Sequence, residues 1–218
     1  MKIIALPDLH TRGIALLETI ASQLTAVDLV LLPGDLTNSG TAYDAETTVK
    51  AVQRYNEHVL AVPGNWDIRG IDDYLASNDF SLHRTHKIID GIAFLGVGGS
   101  LPKLGGLIFP ENVYARFLNE AIDGLDVTIP KILVCHHPPF NTLTDITSSK
   151  QHVGSHSVRT FIEQQQPLIC FTGHIHESRG IDTIGTTKII NPGPIWKGHY
   201  AYAEIDDGEV TALELREI

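Results

Sequence analysis

Five separate places in the sequence carry side chains that can bind a metal ion. They are Asp8 with His10, Asp35, Asn65, His136, and His174 with His176. Carboxylate, imidazole and amide ligands without thiolates suit divalent transition metals such as Mn, Fe, Zn, Ni or Co. One histidine at a strand end is more often a hydrogen-bonded structural residue than a ligand. Five such places in one chain predict a metal site.

Each of these places follows an apolar run that predicts a buried strand. The predicted strands cover residues 2–7, 28–32, 58–62, 131–135 and 168–172. Pro138 and Pro139 cannot donate a ladder hydrogen bond, so they leave His136 and His137 at the C-terminal end of the fourth strand. Open α/β sheets bind ligands at the carboxyl ends of their strands. We therefore expect the metal-competent side chains at one edge of the fold.

The spacing of these residues favours shared ions. Successive side chains of an extended chain point to opposite sides, so Asp8 and His10 are predicted to face the same way, as are His174 and His176. Seven metal-competent groups exceed the needs of one tetrahedral site, and a carboxylate such as Asp35 can bridge two ions. Two ions about 3.5–4 Å apart are the usual device for hydrolysing phosphate esters.

Three glycines stand in the turns that follow these strands: Gly34, Gly64 and Gly173. A residue without Cβ allows a positive φ and a close approach of the backbone. We expect these glycines to make room for the metal-competent side chains.

The order of the predicted elements indicates an α/β fold. A helix with Ile14, Leu17, Ile20 and Leu24 on one face follows the first strand. Further predictions are helices over residues 45–55, 110–125 and 157–166, a hairpin around Asp90-Gly91 over residues 87–99, and short strands and turns over residues 186–217. Strands alternating with helices indicate parallel crossover units. Without repeats or linkers, a single domain over residues 1–218 is expected.

The composition argues against several classes of partner and cellular location. A formal net charge of −10 argues against long nucleic acid as a partner, because phosphate-backbone binding needs a basic surface. The sequence has no segment long enough to span a membrane and no signal-peptide pattern, so a cytoplasmic protein without a membrane partner is expected. Cys135 and Cys170 lie in apolar runs and are predicted to be buried thiols, with a disulfide as the alternative. The oligomeric state is not predicted.

Taken in order, these motifs resemble those of the calcineurin-like metallophosphoesterase superfamily. The matching segments are Asp8-Leu9-His10, Gly34-Asp35, Gly64-Asn65-Trp66-Asp67, His136-His137-Pro138 and Gly173-His174-Ile175-His176, followed by the turn Asn191-Pro192-Gly193. The resemblance implies a four-layer α/β/β/α sandwich, in which helices flank two mixed β-sheets and the site lies at the strand ends. It also implies two divalent transition-metal ions as cofactors and a small phosphate ester as substrate.

Residue roles follow from the same resemblance. It implies that Asp8, His10, Asp35 and His176 hold the first ion, that Asp35 bridges, and that Asn65, His136 and His174 complete the second. A hydroxide bridging the ions would attack phosphorus in line, while Asn65 and the ions offset the charge of the oxygens.

The third motif departs from the family pattern, because Trp66 replaces the histidine of the familiar G-N-H-D or G-N-H-E sequence. An indole cannot transfer a proton, so diesters with good leaving groups, or a substitute acid, are favoured. Trp66 is a candidate substrate-binding residue that would stack on a flat leaving group; packing at the rim is the alternative. Asp67 is a candidate for the catalytic machinery or for fixing the turn. Candidate acids are His137, His152, His156 and His199.

The favoured function is metal-dependent phosphodiester hydrolysis. The alternatives are a phosphomonoesterase and a non-catalytic metal-binding scaffold that recruits proteins. A monoester asks for extra cationic clamps, and the candidates near the motifs are Arg12, Arg69, Arg159 and Arg179. The polar loop over residues 141–154 is long enough to be a lid over the site, and it carries His152.

Overall fold

The computed structural model describes residues 1–68, 70–102 and 106–218, and in these ranges eleven strands form two sheets. The first sheet has the strand order β11-β10-β1-β2-β3. Its strands are β1 (Lys2–Ala5), β2 (Leu29–Pro33), β3 (Val59–Val62), β10 (His199–Asp206) and β11 (Glu209–Glu217). The strands β1, β2 and β3 run parallel, while β10 is antiparallel to both β1 and β11.

The second sheet has the order β4-β5-β6-β7-β9-β8. Its strands are β4 (His86–Ile89), β5 (Ile92–Val97), β6 (Lys131–Cys135), β7 (Ile169–Phe171), β8 (Gly180–Ile184) and β9 (Thr187–Asn191). The strands β5, β6, β7 and β9 are parallel, and β4 and β8 close the two edges in antiparallel pairings. Both sheets are therefore mixed, as the family resemblance implied.

Helices cover the outer face of each sheet. They are a 3-10 helix (Arg12–Ile20), α1 (Ala21–Thr25), α2 (Ala42–Gln53), α3 (Ile71–Ser77), α4 (Glu111–Ala121), α5 (His156–Gln165) and a short 3-10 helix (Ile195–Lys197). Three apolar layers separate the four structural layers. One lies under α1 to α3, one lies between the sheets, and one lies under α4 and α5. The predicted α/β/β/α sandwich is confirmed.

Local chemistry explains where several elements begin and turn. Thr41 and Asp44 form a reciprocal capping box at the start of α2, and the Ser155 side chain accepts a hydrogen bond from the Val158 backbone N–H at the start of α5. Asp90 and Gly91 both have positive φ, the backbone that a tight hairpin turn requires. The hairpin predicted around them is confirmed as β4 and β5.

Three segments differ from the sequence predictions. The first predicted helix begins as a 3-10 helix, because its apolar residues Ile14, Leu17 and Ile20 recur every third residue, the 3-10 period. Helix α3 was not predicted, since seven residues are too few for a clear amphipathic pattern. The C-terminal part was expected to be short strands and turns, but β10 and β11 form a long hairpin of eight and nine residues.

Cys135 and Cys170 are buried and unpaired, which confirms the prediction of buried thiols. No helix in the described part of the chain is long and apolar enough to cross a membrane.

Candidate metal centre

The predicted site residues lie just beyond the C-terminal ends of five strands. Asp8, Asp35 and Asn65 follow β1, β2 and β3 of the first sheet, and His136 and His174 follow β6 and β7 of the second. Because parallel strands end at the same edge of a sheet, the two sheets present these residues at one common edge.

A first group joins two carboxylates and two imidazoles. Its members, Asp8, His10, Asp35 and His176, each offer a ligand atom, and these four atoms all lie within 4.8 Å of one another. The His10 Nε2 atom is 3.6 Å from Asp35 Oδ2, and the His176 Nε2 atom is 3.3 Å from Asp8 Oδ1. The three residues from the first sheet are buried, while the His176 side chain is 30% exposed. Solvent therefore reaches this group from the His176 side.

A second group shares Asp35 with the first. Ligand atoms of Asp35, His136 and His174 lie within 4.8 Å of one another, and His136 Nε2 is 3.5 Å from Asp35 Oδ2. The Asn65 Oδ1 atom lies 3.2 Å from the same His136 Nε2. The structure thus brings all seven predicted ligands together, with Asp35 between the two groups.

Backbone conformation, not strand alternation, turns the ligands inward. Asp8, His10, Asp35 and His174 have φ values of 54°, 46°, 51° and 66°, the left-handed region. The prediction that Asp8 and His10 share a face through the alternation of an extended chain was therefore wrong in its reason, since β1 ends at Ala5. Left-handed backbone is costly for residues with a Cβ, and such strain collects at functional sites.

The three glycines make room for the ligands, as expected. A Cβ on Gly34 would collide with the His136 imidazole, one on Gly64 with the Asp35 carboxylate, and one on Gly173 would lie 2.7 Å from Asp8 Oδ2. Gly34 has a φ of +87°, so there the predicted positive φ is confirmed. At Gly64 and Gly173 the close approach alone requires glycine.

Asp67 fastens two loops to each other. One of its oxygens accepts hydrogen bonds from the backbone N–H groups of Leu36 and Gly64, at 2.9 and 2.8 Å. The other accepts from the backbone N–H and hydroxyl of Thr37, at 2.9 and 3.0 Å. Asp67 therefore fixes the turn that carries Asn65 to the loop that carries Asp35. A direct catalytic role for Asp67 stays a prediction.

Electrostatics explain why a cation suits this cluster. Burial and the charges of Asp67 and Asp8 raise the pKa of Asp35 well above its usual range. Burial opposes ionisation of Asp8, but the hydrogen bond from His176 and the nearby His136 outweigh it and lower the pKa of Asp8. Within the described residues, no lysine or arginine pairs with these carboxylates. Their negative charge lacks a permanent positive partner.

The histidines supply neutral ligands. Burial lowers the pKa values of His10, His136 and His174, because the imidazolium form loses solvation. Neutral imidazole is the form that binds metal. The Asn65 Nδ2 atom is buried without a hydrogen-bond partner, which marks this cluster as incomplete by itself. Carboxylates that no lysine or arginine pairs with in the described residues, together with neutral imidazoles, fit divalent metal ions.

His137 lies beside the cluster in a different role from the ligands. Its Nε2 atom is 3.0 Å from the Val153 carbonyl oxygen, its Nδ1 atom is buried without a partner, and its ring centroid is 4.8 Å from that of His174. Burial lowers the pKa of His137 to about 4. A neutral ring whose N–H faces a backbone carbonyl is poorly placed to protonate a leaving group, so its predicted catalytic role gains no support from this geometry.

The other candidate acids are engaged elsewhere. The His152 Nδ1 atom is 2.6 Å from Asp145 Oδ1, and the His156 ring lies 4.0 Å from the Phe140 ring. His199 Nε2 is 3.9 Å from Glu217 Oε1. Asp145 is fully buried and also accepts backbone hydrogen bonds from both ends of the loop over residues 141–154. The buried carboxylate of Asp145 thus joins the two ends of the loop. The prediction that the loop acts as a lid remains a prediction.

Trp66 combines a buried backbone contact with an exposed ring. Its backbone N–H donates to Asp35 Oδ1 at 2.8 Å, while the residue as a whole is 39% exposed. Of the cationic candidates, Arg159 donates to the carbonyls of Phe140 and Asn141, and Arg179 donates to that of Pro192. Arg69 lies outside the described residues.

Asn191 supports the second sheet's ligands and was not singled out as a site residue. Its Nδ2 atom donates to the Ile175 carbonyl at 3.0 Å and lies 3.4 Å from that of Gly173, while its Oδ1 atom accepts from the Gly193 N–H at 2.9 Å. It thereby braces the turn that carries His174 and His176. The available signal was an asparagine at the end of an apolar run and directly before Pro-Gly.

Comparisons with known proteins agree with this geometry. The uncharacterized protein MJ1162 of Methanocaldococcus jannaschii is 35% identical over 211 residues, 93% of this chain and 91% of that protein. The crystal structure of TT1561 from Thermus thermophilus superimposes with a TM-score of 0.76 at 22% identity, over 99% of this chain and 98% of that one. Phosphopantetheinyl hydrolase from Mycobacterium tuberculosis shares the fold, with a TM-score of 0.62 at 15% identity over 89% and 90% of the chains.

The family model described as calcineurin-like phosphoesterase matches residues 1–178, a range that includes all seven predicted ligands. The match extends just past His176, the last of them. This chain belongs to the calcineurin-like phosphoesterase family, whose members are metal-dependent hydrolases of phosphoesters.

Proposed function

We propose that this metal-dependent phosphoesterase uses two divalent ions and prefers phosphodiesters. The observation that carries the proposal is the position of Asp35, whose carboxylate belongs to both ligand groups. A single carboxylate shared by two sets of ligands is the arrangement expected of a bridged pair of ions. Mn, Fe, Zn, Ni and Co all suit the donor set.

Each side chain has a role in this proposal. Asp8, His10, Asp35 and His176 would hold one ion, and Asp35, Asn65, His136 and His174 would hold the other. When bound, the ions would lower the pKa of a coordinated water and offset the negative charge of the phosphate. The Asn65 Nδ2 group, which has no hydrogen-bond partner among the described residues, would be able to donate to a phosphate oxygen.

The preference for diesters rests on the cationic side chains. A phosphate monoester carries more negative charge than a diester and asks for more cationic contacts. Of the candidates near the motifs, Arg159 and Arg179 donate to backbone carbonyls, and Arg12 lies against the ring of Trp196. Trp66 adds an exposed aromatic face beside Asp35, on which a flat leaving group can stack. Since indole cannot supply a proton, the substrate should have a leaving group that departs without one.

The test is turnover of bis-p-nitrophenyl phosphate and p-nitrophenyl phosphate by metal-stripped protein, with and without added Mn²⁺. The proposal expects metal-dependent turnover that favours the diester, and two ions per chain by metal analysis. A preference for the monoester would overturn the preference for diesters. Two bound ions without turnover of either compound would favour a non-catalytic scaffold.

A further inference from the structure

Trp196, the second tryptophan of the chain, borders the metal centre. It lies in the short 3-10 helix after β9, and its ring centroid is 5.9 Å from that of His176, at an interplanar angle of 77°. Trp196 therefore borders the first ligand group on its solvent-accessible side, since His176 is the exposed member of that group.

Two cations contact the Trp196 ring. The Arg12 Cζ atom lies 4.0 Å from the ring centroid, and the Lys197 Nζ atom lies 5.2 Å from it. An indole face is the strongest aromatic partner for a cation, so this contact holds the flexible side chains near one place. Arg12 follows the ligand His10 by two residues, which brings the guanidinium to the same rim.

Apart from the contact with Trp196, neither cation forms an ion pair or a hydrogen bond within the described part of the fold. The Arg12 and Lys197 side chains have no carboxylate within 4.0 Å and donate no hydrogen bond there, whereas Arg84, Arg159 and Arg216 each contact a glutamate. Arg12 and Lys197 are both exposed. Two unpaired cations on one indole, in a chain of formal net charge −10, need a different explanation from surface solubility.

The backbone beneath this rim is fixed. The Ile195 N–H donates to the Pro7 carbonyl at 3.1 Å, and a Cβ on Gly13 would lie 2.9 Å from Ile195 Cγ2. The turn that carries Arg12 thus packs directly on the turn that carries Trp196. The Trp196 Nε1 atom is buried without a partner among the described residues, a cost that phenylalanine would avoid, whereas indole offers a cation the larger and stronger aromatic face.

We propose that Arg12 and Lys197, held on Trp196, form a subsite for a second phosphate group of the substrate. The inference rests on the proposed diesterase function and deepens it. The scissile phosphate would lie at the metal centre, and the second phosphate would lie outside the His176 rim. A guanidinium that binds two oxygens at once, with an ammonium nearby, suits a phosphate dianion better than a neutral group. The substrate class is a phosphodiester that carries a further terminal phosphate.

A matched pair of substrates tests the subsite. Thymidine 5′-p-nitrophenyl phosphate and the same compound with a 3′-phosphate differ by one anionic group. We expect the 3′-phosphate to raise kcat/KM about tenfold, and the ratio to fall close to one in the double variant Arg12→Gln, Lys197→Gln. Arg54→Gln, an exposed arginine after α2 at the opposite end of the parallel strands, is the control and should keep the ratio. A ratio near one in the unaltered protein overturns the subsite.

An equal loss on both substrates would place Arg12 on the scissile phosphate and would also overturn the proposal.

A second experiment measures binding and needs no turnover. In a Trp66→Phe background, Trp196 is the chain's sole tryptophan, and metal-free protein can be titrated with inorganic pyrophosphate while its fluorescence is followed. A saturable change that the double variant abolishes supports the subsite, and an unchanged signal or one that survives in the double variant overturns it. Failure of every diester, with this signal intact, would instead refute the proposed function alone.

Discussion

The two sheets contribute different chemistry to the same edge of the molecule. The first sheet supplies every carboxylate of the cluster, Asp8, Asp35 and Asp67, together with the amide of Asn65 and the imidazole of His10. Among the predicted ligands, those that follow strands of the second sheet are all imidazoles, namely His136, His174 and His176. Negative charge is therefore concentrated on one sheet, and neutral ligands on the other.

The backbone follows this division only in part. Of the four left-handed ligands, Asp8, His10 and Asp35 follow strands of the first sheet, and His174 follows β7 of the second. His136 directly follows Cys135 of β6 without a positive φ. Burial and, after it, the nearby charges of Asp67 and Asp8 raise the pKa of Asp35. The first sheet thus carries three of the four left-handed ligands and both ligand carboxylates, and the second sheet adds neutral imidazoles. Predictions that change one sheet's contribution at a time test this division.

The largest effect is expected for Asp35→Asn, which weakens both ligand groups at once. Because the amide loses the charge and the bridging capacity of the carboxylate, turnover should fall by at least about 10²–10³-fold, and metal content should drop at both positions. Steady-state kinetics and metal analysis of the purified variant measure both. Asp73→Asn, on the exposed face of α3, is the matched control. Full activity of the Asp35 variant would refute the bridging role.

His136→Ala changes only the second sheet's side of the cluster. The first group, Asp8, His10, Asp35 and His176, remains complete, so we expect one bound ion in place of the two proposed for the unaltered protein. Turnover should fall on the order of 10²-fold, since one source of charge stabilisation is lost. Metal analysis after dialysis gives the count, with the exposed His58→Ala as control. Retention of two ions would contradict the assignment of His136 to a separate position.

Asp67→Ala tests whether the hydrogen bonds of Asp67 hold together the loops after β2 and β3. The substitution leaves three buried backbone N–H groups without their acceptor, so the free energy of unfolding should fall by about 3–5 kcal/mol. Denaturant unfolding of the metal-free protein measures this loss. The exposed Asp73→Ala should cost much less. A loss below about 1 kcal/mol would show that the loops do not depend on Asp67.

His83 is a buried histidine that belongs to neither ligand group. Its effect on the pH dependence of folding stability can therefore be measured separately from the competition between protons and metal ions for the ligand histidines. Burial lowers the pKa of His83 to about 4, and its Nδ1 atom accepts a hydrogen bond from the Gly98 N–H. The unfolded chain takes up this proton near the ordinary value of 6.5, so stability is full above that pH and falls as the pH drops toward 4.

The loss from His83 is on the order of 3 kcal/mol. Unfolding of metal-free His83→Gln should depend less on pH between 6.5 and 4 than the unaltered protein does. The exposed His58→Gln serves as control. Parallel pH curves for the His83 variant and the unaltered protein would refute the prediction.

The last prediction compares the loss of stability when alanine replaces either of two glycines with similar backbone conformations. Gly34 has φ +87° and Gly70 has φ +81°, but a Cβ on Gly34 meets the His136 ring whereas a Cβ on Gly70 meets nothing within 4 Å. Gly70→Ala should cost about 1 kcal/mol through the left-handed backbone alone. Gly34→Ala should cost about 1–3 kcal/mol more and should also weaken metal binding at the second group. Equal losses by thermal unfolding would show that the approach of His136 does not need glycine.

Much of the site was predictable because its ligands follow strands that have strong local signals. Unbroken apolar runs before Asp35 and His136 mark buried strands, and the carboxyl ends of parallel strands must meet. The reason given for Asp8 and His10 was wrong, since a left-handed turn is set by contacts to the loop after β2. Those contacts include the hydrogen bond from the His10 N–H to the Asp35 carbonyl.

The parts that were missed depend on residues far apart in sequence. A role for Asp67 in fixing the turn was predicted, but its partners on the loop after β2 were not. The hydrogen bond of Asn191 to Ile175 and the stacking of Arg12 on Trp196 are likewise long-range contacts. A single chain's local pattern carries no information about such pairs. The sandwich was predicted from the family resemblance, and the candidate ligands were found because each follows an apolar run in the sequence. The supporting contacts could not be predicted in this way.

The pairing of β1 has a consequence for the order of events during protein synthesis. This strand, which leads to Asp8 and His10, lies between β2 and β10, and its register pairs Ile3 with Ala203 and Ala5 with Ala201. Until residues 199–206 leave the ribosome, β1 has one open edge and the turn after it lacks its support from Ile195. The strand β1 is thus made before the strand that covers its open edge. The turn that carries Asp8 and His10 gains its full support only after β10 has been made.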